Sequence, residues 1–77
     1  MILDTDQQTA SVSGGRYVFS SDFGTGSASI HYKLDNGTKW YSIGTLVDGE
    51  GVPVTLPTNC IIRLTKTNDA TVEVDKV

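Results

Sequence analysis

The sequence predicts an all-β fold, a small antiparallel sandwich or barrel of about six to seven short strands. Three observations carry this. Apolar residues recur with a period of two in several short runs, as a half-buried strand requires. The runs are separated by Gly, Pro, Asn and Asp at intervals of about ten residues, and no helical period occurs. Thr and Ser are abundant while the helix formers Leu, Lys and Glu are sparse, so local propensity agrees with the pattern.

The strongest segment is Ser27 to Ile43, two alternating runs joined by Asp35-Asn36-Gly37. Ala28, Ile30, Tyr32 and Leu34 share one face, and Ser29, His31 and Lys33 the other. A two-residue Asn36-Gly37 loop would set Tyr32 opposite Tyr41. A three-residue Asp35-Asn36-Gly37 loop, with Gly37 in the left-handed position of a bulge, would set Tyr32 opposite Trp40. The second gathers the largest apolar side chains on one face and is the expected register; it makes Trp40 core and turns Tyr41 outward beside His31.

Residues 1–14 carry only Ile2, Leu3 and Val12 as substantial apolar groups, and read as a polar N-terminal arm with at most a short strand near Thr9 to Val12. Residues 15–77 form the single β domain. Gly14-Gly15 breaks the chain, and Arg16 to Ser20 alternates with Tyr17 and Phe19 inward. Ser21 to Gly26 is a loop into which Phe23 folds back as a core plug. Asp48-Gly49-Glu50-Gly51 is a further turn signal. The next strand, Val52 to Leu56, contains Pro53, which cannot donate to a ladder and marks an edge or a strand start. Cys60 to Thr65 buries Ile62 and Leu64, Asn68-Asp69 turns the chain, and Thr71 to Asp75 places Val72 and Val74 inward with acids outward.

The chain has 77 residues, so one domain, and its apolar burial only about matches the entropy lost on ordering. One Cys rules out an internal disulfide and one His makes a zinc site improbable, which leaves association as the expected source of extra stability. The net charge of -3 lacks the basic footprint of a nucleic-acid binder. The opening Met-Ile-Leu-Asp-Thr-Asp has no secretory pattern, and no run is long enough to span a bilayer, so a soluble, cytoplasmically made polypeptide is expected.

No catalytic, cofactor-binding or metal-binding constellation emerges. His31 has no oriented nucleophile at a supporting spacing, and Cys60 opens an apolar strand as a small buried hydrophobe. Gly24-Thr25-Gly26 precedes a strand, whereas a phosphate cradle needs a following helix. Asp4 with Asp6, and Asp48 with Glu50, do not continue into calcium loops. Asn36-Gly37-Thr38 formally matches a glycosylation sequon but reads as a turn. The candidate interface residues are Tyr41, His31, Arg16 and Pro53: an outward aromatic with its neighbour, and residues of exposed strands.

Gly15-Arg16-Tyr17-x-Phe19, then Phe23-Gly24-x-Gly26-x-Ala28-x-Ile30-x-Tyr32-x-Leu34, and Asp35-Asn36-Gly37-x-x-Trp40 together resemble a pattern in small β-rich virion structural proteins of tailed bacteriophages. The resemblance covers roughly Gly14 to Leu56. It implies a non-enzymatic virion component made in the host cytoplasm, most simply a capsid decoration or cement subunit. Its partners would be capsid or other virion proteins in a homo-oligomer or multi-copy array, without nucleic acid, membrane or cofactor. The alternative it leaves open is a tail or head-fibre module that binds a receptor or host-surface glycan.

Overall fold

A computed structural model describes all residues, 1–77, and contains eight strands and no helix. They are β1 (Ile2–Leu3), β2 (Thr9–Val12), β3 (Gly15–Asp22), β4 (Ala28–Leu34), β5 (Tyr41–Ser42), β6 (Gly51–Leu56), β7 (Cys60–Lys66) and β8 (Thr71–Lys76). Two four-stranded antiparallel sheets pack face to face, one ordered β1-β8-β3-β6 and the other β2-β7-β4-β5. The pairs β1–β8, β2–β7, β3–β6 and β4–β5 are those made by rolling up one long hairpin, which is the strand order of a jelly roll. We call the sheets the β3 sheet and the β4 sheet.

The core lies between them and follows the alternation. Tyr17 and Phe19 from β3, Ile30 from β4, Leu56 from β6, Cys60, Ile62 and Leu64 from β7, and Val72 and Val74 from β8 are all buried. Tyr17 keeps its hydroxyl satisfied by donating to the Ser13 carbonyl at 2.7 Å. Phe23 is half-buried and packs on this cluster, as a plug should.

Two expectations are corrected. Residues 1–14 are not an arm outside the domain, because β1 completes one sheet, β2 completes the other, and Leu3 between them is fully buried. The expected strand at Thr9 to Val12 is β2, but β1 was hidden: one core leucine in a polar stretch gives no periodic signal. The link between β1 and β2 is held by side chains. The Asp4 and Thr5 amides donate to Gln8 Oε1 at 3.0 and 3.1 Å, and the Lys66 amide donates to Asp6 Oδ1 at 3.0 Å, which lowers the Asp6 pKa.

The second correction is the hairpin register. Tyr32 pairs with Tyr41 and His31 with Ser42, the register of the shorter loop. The turn is not the mirror-image type that register suggested either. Neither Asn36 nor Gly37 has positive φ, and the Gly37 amide closes a four-residue turn on the Leu34 carbonyl at 2.9 Å. Pairing continues past β5, where the Ile43 amide donates to the Ile30 carbonyl at 3.2 Å. Ile43 packs on the core and Leu46 from the following loop is buried, so they fill the inward space expected for Trp40. Leu34, also expected inside, is 46% exposed at the sheet end.

The entry to β6 is a bulge. Gly49, at φ 76°, donates its amide to the Ser21 carbonyl, while the Ser21 amide donates to the Glu50 carbonyl. That bond, with the Val77 amide on the Arg16 carbonyl, sets the parity of β3: odd residues bond to β6 and even residues to β8. Val18 faces Pro53, so Pro53 sits where its backbone nitrogen points away from β3 to the open edge. The expectation for Pro53 is met: it removes a donor from the middle of that edge and disfavours main-chain addition of a further strand there.

Cys60 is 1% exposed, and burial pushes its thiol above the ordinary value. The raised pKa belongs to the folded state, so this group leaves stability unchanged below the ordinary thiol pKa and withdraws it as pH rises toward the folded value. In the native protein Cys60 is expected to react with a thiol reagent only at the rate of global unfolding, with added denaturant accelerating labelling and loss of structure together. Prompt labelling in buffer would show that the site opens locally.

Candidate contact face on the β4 sheet

Outward residues of the β4 sheet are those between the buried ones. On β7 they are Ile61, Arg63 and Thr65; on β4, Ser29, His31 and Lys33. Cross-strand register sets Arg63 beside His31, with Thr9 on one side and Ser42 on the other, and Ile61 beside Lys33. Extending the β4–β5 register by one residue places Trp40 next to Lys33, on this same outer face. No Asp or Glu occupies a strand position of the face; Asp6 and Asp35 lie beyond its strand ends.

The Arg63 guanidinium carbon lies 4.2 Å from the centre of the Trp40 ring, and Lys33 Nζ lies 5.8 Å from it. Both fall within cation–π range. Lys33 is further held by donating to the Gly37 carbonyl at 3.3 Å, so the turn that sets the register also fixes this ammonium. The chain's one ion pair joins the Met1 amine to Asp75 at 3.7 Å, so neither Lys33 nor Arg63 has a carboxylate within bridging distance. Arg63 Nε and His31 Nδ1 are shielded from solvent without a hydrogen-bond partner. The result is a half-buried indole braced by two cations, with a histidine beside them, among strand positions that carry no acid in a net-acidic chain. Such a face suits contact with a surface that supplies carboxylates and apolar area.

The sequence-predicted interface residues are not brought together. His31 is on this face. Tyr41 points to the other side of the same sheet, its ring 5.9 Å from that of Tyr32, and is 55% exposed at the margin. Arg16 and Pro53 lie on the outside of the β3 sheet. Trp40, Lys33, Arg63 and Ile61 were missed as a group. The signal was present for Arg63 and Ile61, which flank the inward Ile62, but that Trp40 joins them follows only from the register.

Elsewhere the polar clusters are structural. The Asp69 carboxylate accepts from the Thr25 amide at 2.9 Å and hydroxyl at 3.0 Å, which hold its pKa below the usual range and tie two loops together. No three His, Cys, Asp or Glu side chains converge as a metal site would require. Shallow depressions lie at one end of the sandwich, and one is lined by Leu34, Gly37, Thr38, Lys39 and Tyr41.

No protein-family model, curated protein or solved structure matches the chain.

Proposed function

We propose that the protein is a non-catalytic virion subunit of a tailed bacteriophage, a decoration or cement protein that acts in many copies by binding other virion proteins through the outer face of the β4 sheet. The observation that carries this reading is the Trp40 cluster. Trp and Arg are the residue types that dominate contact energetics, and here both are pre-positioned in the free domain. The virion context is supported by the sequence resemblance, and by analogy with the jelly-roll order, an arrangement used by capsid domains. Jelly rolls also build lectin domains, and the exposed Tyr41 ring beside Lys39 favours, as a second reading, a fibre module that stacks on a host glycan.

Occupancy on particles lacking the protein tests this. Trp40→Ala should reduce binding by at least about 30-fold, the effect of losing a hot-spot residue, while Tyr41→Ala leaves it within a few-fold. Absence of the protein from purified virions, or full occupancy by Trp40→Ala, would refute the proposal. Loss of glycan binding in Tyr41→Ala alone would establish the second reading.

A further inference from the structure

The outer face of the β3 sheet has the opposite character. Alternation turns Glu73 and Asp75 of β8, Asp22 and Val18 of β3, Pro53 of β6 and Ile2 of β1 outward, and all are exposed except the half-buried Val18. Register arranges them in rows: Ile2, Glu73, Ser20 and Gly51 in one, then Asp75, Val18 and Pro53. Gly51 leaves room for the Val18 side chain, since a Cβ there would lie 2.9 Å from Val18 Cγ1. Arg16, across from Thr55, is the one cationic side chain on this face and forms no ion pair, while the Met1 amine reaches Asp75 at 3.7 Å, so Glu73 and Asp22 are the carboxylates outside that pair.

From these two faces we infer that the Trp40 face of one copy docks on the Glu73–Asp75 face of a second copy, head to tail. The inference rests on reading the Trp40 face as a contact surface and names an occupant for it. Charge complementarity selects that occupant. A two-fold pairing of Trp40 faces would set His31, Lys33 and Arg63 against the same three groups, and a two-fold pairing of β3 faces would oppose Glu73 and Asp75 to themselves. Only the heterologous arrangement places cations on carboxylates and Trp40 and Ile61 against the apolar pair Val18 and Pro53. Size agrees: the molecule measures 34 × 24 × 19 Å, and its broad face matches one side of a standard interface, roughly 800 Å² per partner. Pro53 interrupts the β6 edge, so main-chain extension is disfavoured at that edge of the acidic sheet.

A head-to-tail contact does not consume itself in a dimer, and this gives the test. Sedimentation velocity of the whole protein at about 20 mM salt should show association that grows with concentration beyond the dimer and weakens at about 0.5 M salt. Arg63→Glu removes the basic face and Glu73→Lys the acidic one, so each variant alone should self-associate at least about tenfold more weakly. Mixed, they should associate again in equal numbers, because one copy keeps an intact acidic face, the other an intact basic face, and the two charge-reversed faces complement each other as well. Lys33→Glu repeats the basic-face test should Arg63→Glu fail to fold. A wild type monomeric at low salt, a closed two-fold dimer, or a mixture of variants that stays apart would each overturn the inference. Particle occupancy is measured separately, so a wild type that binds particles but does not self-associate would overturn this contact and leave the virion proposal standing.

Discussion

Replacing Leu3 with Ala is expected to lower the unfolding free energy by about 2–5 kcal/mol, the range for truncating a fully buried leucine. For a domain this small, with a total stability of roughly 4–12 kcal/mol, that approaches or exceeds half of it at the lower end. Leu3 is 0% exposed and belongs to the main core cluster, and its strand pairs with β8 through the Leu3–Val72 register. Deleting residues 1–12 should go further and abolish cooperative unfolding, because both β1 and β2 leave their sheets and uncover Val72, Ile62 and Leu64. Urea titrations followed by Trp40 fluorescence and far-ultraviolet dichroism would measure both. A deletion variant that unfolds cooperatively within about 1 kcal/mol of the parent would show these strands to be dispensable.

Gly26→Ala should cost about 3 kcal/mol, the upper end for forcing extra volume into a packed site. A methyl group there runs into the Thr67 backbone carbonyl, which has no rotamer with which to move aside. The same place is held by the Thr67 amide donating to the Ser27 carbonyl and the Ser27 amide donating to Thr67 Oγ1, both at 2.9 Å, so yielding would break those bonds. Gly37→Ala is the contrast. Its backbone is not left-handed and its nearest neighbours are Leu34 atoms at 3.3 Å and beyond, so a loss under about 1 kcal/mol is expected. Thermal unfolding of the two variants would decide, and equal losses would mean that the close approach at Gly26 relaxes freely.

Short β2 and the return strand of the hairpin that contains β5 were legible in the sequence, together with β3, β4, β6, β7 and β8, whose alternation spans five or more residues. Their inward residues are the buried ones because period-two patterning and burial are the same physical fact. Legibility failed where information is not local. The inward position of Leu3 depends on pairing with a strand about 70 residues away. Trp40 and Tyr41 are adjacent, so a one-residue change of register exchanges their faces, and the choice was decided by Ile43 and Leu46 filling the interior. The contact face inherits this dependence: His31 and Lys33 read as outward, yet their grouping with Trp40 and Arg63 needs both the β4–β5 and β4–β7 registers.

The rolled-hairpin order also bears on synthesis. The first two strands find their partners only in the last two, β1 on β8 and β2 on β7. As the chain leaves the ribosome, β3 and β6 can pair early, but the opening segment must wait with Leu3 and two unpaired strand edges exposed until β7 and β8 emerge. Closure is therefore the final step and a slow one, since it joins distant parts of the chain. Any pause in translation before Thr71 prolongs a state in which the opening strands are free to pair with the wrong neighbour, including the same segment of another nascent copy.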